Sequence, residues 1–192
     1  MSRNTPLAVH PSRRAFFGLP LALAAPLPAA AAVQLGEDGL YQQDWYLDSF
    51  LDLAEDVAAA AAEGKHFAVE WGQRGCPFCK TLHTVYFADP AIETPIREAF
   101  VIVHLDLNGA REVTGIDGEA SSEKSLAARS GVRLTPTFQF FAERDGAVAE
   151  VARMRGLLDE RDFSAFFRYV ASGGWKTGSF DAWLGTPPPT GG

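Results

Sequence analysis

The sequence predicts an α/β fold, with one mixed central β-sheet flanked by helices on both faces. Three observations carry this reading. Helical and strand periodicities follow one another in the order helix, strand, helix, helix, strand, helix, strand, strand, helix. The strand candidates are short and apolar, as strands covered on both faces are. An apolar content of 47% with 21% charge over 192 residues supplies one ordinary core, which excludes extended disorder and a collagen-like fibre.

Residues 1–32 read as an address rather than as part of the fold. Ser12-Arg13-Arg14-Ala15-Phe16-Phe17 precedes an alanine-rich apolar stretch ending in Pro28-Ala29-Ala30-Ala31-Ala32, the order of charge, apolar run and small residues found in export signals. The adjacent arginines with Phe16 and Phe17 resemble the twin-arginine class; the alternative is an ordinary secretory signal. Cleavage near Ala30 to Ala32 would leave about 160 residues in the periplasm. Pro20, Pro26 and Pro28 break the longest apolar stretch, Ala15 to Val33, so no membrane-spanning helix is expected and the mature chain is expected to be soluble.

Residues 33–42 read as a loose lead-in. A domain over 43–184 follows, opening with a helix from Gln43 to Glu63, in which Trp45, Tyr46, Phe50, Leu53 and Val57 recur at helical spacing and Gly64 supplies the stop. Residues 66–71 form a buried strand. Gln73-Arg74-Gly75 turns the chain into Cys76-Pro77-Phe78-Cys79, where Pro77 suits the first turn of a helix reaching about Phe87. Asp89-Pro90 opens a helix lasting to Ala99, and Phe100 to Leu107 is a second strand. Residues 108–119 are polar and punctuated by glycine, with Glu112-Val113-Thr114 as a short hairpin arm. Ser121-Ser122-Glu123-Lys124 starts a helix that stops at Ser130-Gly131. Thr137 to Phe141 and Val148 to Met154 flank the turn Arg144-Asp145-Gly146 as an antiparallel hairpin. Asp159 to Ala171 closes the domain with Phe163, Phe166, Phe167 and Val170 on one helix face. An extension carries Trp175, Phe180 and Trp183, and residues 185–192 read as a disordered tail.

Charge narrows the partners. The formal net charge is −7, and because three of the 17 basic residues and none of the 24 acids lie in 1–32, the remainder carries −10. Nucleic acid and anionic lipid need clustered Lys and Arg, so protein or small-molecule partners are favoured.

The chemistry sits in the two cysteines. Cys76 and Cys79 are separated by two residues, and so small a ring would constrain little of the unfolded chain as a structural staple. At a strand-to-helix junction the first turn presents unpaired amide hydrogens and the positive end of the helix dipole, which favour the thiolate of a sulfur placed there. Cys76 would then attack a partner sulfur, and Cys79, one turn deeper, would resolve the mixed disulfide. No cofactor beyond this redox-active pair is called for.

The strand Phe67 to Trp71, the Cys76-Pro77-Phe78-Cys79 motif, Gly131-Val132 followed by Thr135-Pro136-Thr137, and the hairpin Phe138 to Met154 together resemble a thioredoxin-fold domain. The resemblance implies that Thr135-Pro136 is a cis peptide and that the Thr135 backbone holds a bound peptide beside the dithiol. It also implies that Glu70, six residues before Cys76, is a buried acid moving protons to or from Cys79 with its pKa raised by burial, paired with His104. The competing reading makes Glu70 a strand carboxylate satisfied by His104 or water. This chain departs from thioredoxin proper in having Gly75 before the first cysteine, Pro77-Phe78 between the pair, and an insertion at about 107–120 before the cis-proline helix.

These departures, with the export signal, look most like the periplasmic SoxW-type thioredoxins of sulfur-oxidation gene clusters. That resemblance implies a reductant of protein disulfides or persulfides, recharged by a membrane thiol carrier of the CcdA or DsbD kind. The Pro-Phe insert leaves an oxidase or isomerase of the same fold as the alternative. A further alternative is a copper-binding module using Cys76, Cys79 and His83, although so few donors argue against a resident metal.

Overall fold

The structure, a computed structural model, describes Met1 and residues 33–185. The expected export signal (Met1 apart), with its twin arginines and cleavage site, and the expected tail beyond Gly185 lie outside the described residues.

The lead-in is a small antiparallel hairpin, β1 (Val33–Leu35) against β2 (Tyr41–Gln43), closed by Gly36 N–H donating to the Leu40 carbonyl at 2.9 Å. The helix expected from Gln43 begins only at Leu53: α1 spans Leu53–Ala62. Asp52 caps it by accepting from the Ala54 and Glu55 amides at 3.1 Å, and Leu51 takes a φ of 65°, which no helix continues through. Trp45 and Tyr46 instead sit in a turn and pack edge-on against Phe87.

The central sheet has the order β4-β3-β7-β8, from β3 (His66–Gly72), β4 (Phe100–Asp106), β7 (Thr137–Arg144) and β8 (Ala147–Arg155). β3 pairs parallel with β4 and antiparallel with β7, which pairs antiparallel with β8. The sheet is therefore mixed. The β7–β8 turn uses Asp145 and Gly146 at φ 56° and 81°, the positive values a two-residue hairpin turn needs.

Side-chain alternation divides the core in two. Phe67, Val69 and Trp71 of β3 and Val103 and Leu105 of β4 face α1 and α4 (Glu123–Arg129). On the other face Ala68, Phe100, Ile102, Phe138 and Phe140 pack against α5 (Glu160–Ala171) through Phe163, Phe166 and Phe167. α3 (Pro90–Ala99) joins this layer through Ile92 and Ile96, and Pro95 lies inside it without ending it. Glu70 and His104 belong to the aromatic face by the same alternation.

The insertion folds as a second hairpin, β5 (Glu112–Thr114) against β6 (Ala120–Ser122). Glu123, 1% exposed, ties it down by accepting from the Asp106 amide at 2.8 Å and from the Arg111 guanidinium at 2.6 Å. The aromatic extension forms a 3₁₀ turn (Gly174–Lys176) and α6 (Phe180–Leu184), with Phe180 4.7 Å from Phe166 between ring centroids. Among the described residues no helix is long and apolar enough to cross a membrane.

Candidate active site

β3 ends at Gly72, and the chain turns through Gly75, whose φ of 73° meets a left-handed requirement that glycine fills without strain. That requirement accounts for a glycine before the first cysteine. Cys76 is then the N-cap of α2 (Pro77–Thr81), with Pro77 at the first helical position, where a missing amide hydrogen is no loss. The Cys76 sulfur accepts the Cys79 amide hydrogen at 3.1 Å, so the free donor of the first turn points at it. Cys76 also donates to the Thr135 carbonyl at 3.5 Å. The Thr135-Pro136 peptide is cis. Both cysteines are free thiols, 4% and 3% exposed, whereas Phe78 between them is 60% exposed.

After α2 the helix widens into a π-helical turn, Leu82–Tyr86, with Phe87 N–H donating to the Leu82 carbonyl at 2.9 Å. A π turn adds a residue per turn and swings the following side chains out of helical register. His83 is the second residue of this turn. It is fully buried, with Nε2 3.1 Å from Glu70 Oε1 and Nδ1 3.2 Å from Gln43 Nε2. The Tyr46 hydroxyl donates to the other Glu70 carboxylate oxygen.

The expected Glu70–His104 pair is thus corrected. The two residues are register partners across β3 and β4, yet the hydrogen-bond partners of Glu70 are His83 and Tyr46. The buried His104 Nε2 makes no hydrogen bond and lies where a Cβ on Gly72 would come within 2.4 Å of it.

The expected rise of the Glu70 pKa is also corrected. Burial pushes the carboxyl up, but the charge and hydrogen bond of His83, the charge of His104 and the Tyr46 hydroxyl together hold it below its usual 4.5. Burial, then the charge and hydrogen bond of Glu70, push the Tyr46 hydroxyl well up. Burial, the contact with Cys76 and the charge of Glu70 push the Cys79 thiol up, opposed in part by the Thr135 hydroxyl. Burial lowers His104, partly opposed by Glu70. The two sulfurs are therefore unlike: one receives an amide hydrogen, and the other is kept protonated by an apolar setting and a nearby anion.

Among the described residues, the group whose donor atoms lie within 4.8 Å of one another and could hold a metal is Glu70, His83 and His104. The cysteines are not in it. The alternative set Cys76, Cys79 and His83 is not brought together as ligands, since the two imidazole nitrogens face Glu70 and Gln43. Gln43 and Tyr46 complete the buried cluster, and both were missed in the sequence because a continuous helix over 43–63 would have scattered them. Their available signal was the turn-forming Asp44 and the cap at Asp52.

A family model described as a thioredoxin-like domain matches residues 53–171, which contain the dithiol, the buried acid and the cis-proline. The chain belongs to the thioredoxin-like family. A thioredoxin from Thermus thermophilus is 28% identical, with a TM-score of 0.51 over 64% of this chain and 86% of that one. A thioredoxin-fold protein from Helicobacter pylori shares the fold at 17% identity and a TM-score of 0.51, over 62% of this chain and 77% of its own. No curated protein gives a significant match. Family and fold support a thiol–disulfide oxidoreductase in general.

Proposed function

We propose that this chain is an exported, periplasmic protein-disulfide reductase of the SoxW kind, acting on protein disulfides or persulfides through Cys76 and resolved by Cys79. The observation that carries the reading is the placement of the Cys76 sulfur, which caps α2, accepts the Cys79 amide hydrogen at 3.1 Å and touches the carbonyl before the cis-proline at 3.5 Å. A partner chain lying along Thr135 would bring its disulfide to that sulfur.

In the first step the Cys76 thiolate attacks one partner sulfur, forming a mixed disulfide and releasing the other as a thiolate that takes a proton. In the second, Cys79 loses its proton and attacks the Cys76 sulfur. The 76–79 disulfide forms and the partner leaves as a dithiol, two electrons richer. Glu70, the buried carboxylate whose charge acts on Cys79, would be the base that receives the Cys79 proton. Because Glu70 opposes ionisation of Cys79, the resolving thiol stays protonated until the mixed disulfide stands beside it. A membrane thiol carrier of the CcdA or DsbD kind would return the electrons.

Insulin reduction with dithiothreitol tests the activity: turnover is expected in the parent and absent in Cys76→Ser. The potential of the 76–79 couple against glutathione tests the direction. A value near roughly −270 mV supports a reductant, and one near about −120 mV would make the chain an oxidant.

A further inference from the structure

We infer that the cavity beside the cis-proline loop is a docking subsite for an acidic segment flanking the disulfide of a protein partner. This deepens the reading above, resting on a partner chain lying along Thr135.

The sheet brings the cavity to the cis-proline loop. β3 ends and β7 begins at this end of the sheet, and β8 runs back against β7, so Arg155, the last residue of β8, is the register partner of Thr137. The Gly156 amide donates to the Pro136 carbonyl at 2.8 Å, fixing the end of β8 to the cis-proline loop. Arg133 lies two residues before Thr135 on the same loop. Between Arg133 and Thr135, Leu134 is 46% exposed, with its Cδ1 in ordinary contact with the Cβ position of Gly156. A cavity of about 300 Å³ opens there, with Arg133, Leu134, Thr137, Arg153 and Arg155 among its walls.

The charge of these walls decides the occupant. Arg153 is spent on Glu150, with Nε 2.5 Å and Nη2 2.6 Å from its carboxylate oxygens. Arg133 and Arg155 are exposed, and among the described residues neither has a carboxylate within 4 Å. Two uncompensated guanidinium groups thus line the cavity beside the cis-proline loop, whose Thr135 carbonyl touches the Cys76 sulfur, on a chain of net charge −7. Guanidinium groups bind carboxylates with paired, charge-assisted hydrogen bonds. A partner segment rich in Asp or Glu is attracted at this face and repelled by most of the remaining surface, so the patch selects both partner and orientation. Leu134 in the cavity wall, 46% exposed, adds apolar contact for the same segment.

The test uses three disulfide-linked peptides identical except for two Glu, two Gln or two Lys on each side of the cysteine, with hydroxyethyl disulfide as a small neutral substrate. The reduced protein is expected to favour the Glu peptide over the Lys peptide by about fivefold to tenfold in the second-order rate constant of a single turnover. The preference should shrink between about 0.05 and 1 M salt, as the Debye length falls toward about 3 Å. Arg133→Glu with Arg155→Glu should erase or reverse the preference and leave hydroxyethyl disulfide reduction unchanged. Equal rates for the three peptides, or a preference that survives the double substitution, would overturn the inference. Failure of the parent to reduce hydroxyethyl disulfide would instead sink the oxidoreductase reading and this inference with it.

Discussion

Replacing His83 with Leu isolates the buried pair it forms with Glu70. His83 and Glu70 are both fully buried and 3.1 Å apart, so the substitution leaves a carboxylate in the core with Tyr46 as its remaining hydrogen-bond partner. Breaking such a pair from one side costs about 3–5 kcal/mol, because the charge left behind cannot rehydrate. Leu nearly conserves volume, so the cavity contribution is small. Gln43 loses its contact with Nδ1 but keeps its bond to the His83 carbonyl at 3.1 Å. At about 2–4 °C per kcal/mol for a chain of this size, Tm should drop by about 6–20 °C.

The pH dependence carries the sign. In the parent, the Glu70 carboxyl titrates below 4.5, so its stabilisation is present above that value and lost as pH falls through the lower folded one. In His83→Leu, burial is no longer offset by the imidazole and the folded carboxyl rises above its unfolded value. The penalty is then full at pH 7 and relieved by acid, so the gap between variant and parent narrows at pH 5. Urea unfolding of the reduced proteins at both pH values reads this directly, and Glu70→Gln combined with His83→Leu should recover most of the loss. A loss under about 1 kcal/mol, or a gap independent of pH, would refute the reasoning.

Glu70→Gln should slow decay of the mixed disulfide by about tenfold or more, with a changed pH profile over 6 to 9, because a carboxamide cannot take the Cys79 proton; stopped-flow reduction of a fluorogenic disulfide follows it, and an unchanged profile removes the proton role. Glu123→Ala should cost about 2–4 kcal/mol by stripping the Asp106 and Arg111 amides of their acceptor. Urea unfolding measures that loss, and faster hydrogen exchange over 107–122 should accompany it.

Much of the fold was legible because its signals are local. Short, nearly continuous apolar runs marked β3 and β4, Asp145-Gly146 marked the hairpin, and Asp89, Ser122 and Asp159 marked helix starts as the caps they are. The stretch before Leu53 misled because Trp45, Tyr46 and Phe50 mimic helical spacing. Packing against Phe87 and the hydrogen bond to Glu70 draw Tyr46 out of that pattern, while Phe50 is fully exposed. The Cys76 site could be read from the strand-to-helix position alone. Its buried surroundings could not, since Glu70 meets His83 and Tyr46 across the fold, 13 and 24 residues apart in the chain, and no local residue pattern announced the π turn at Leu82–Tyr86 that carries His83. The Arg133–Arg155 juxtaposition likewise arises only when β8 folds back beside the cis-proline.

Timed alkylation of the reduced protein with limiting iodoacetamide at pH 7, with peptide mapping of the label, bears most directly on the division of labour between the two sulfurs. Cys76, which receives the Cys79 amide hydrogen at 3.1 Å, should be labelled first and faster than an unstructured cysteine peptide. Cys79, buried and pushed up beside Glu70, should stay unlabelled. Labelling of Cys79 first, or of Cys76 no faster than the peptide, would contradict the assignment of Cys76 as the attacking sulfur.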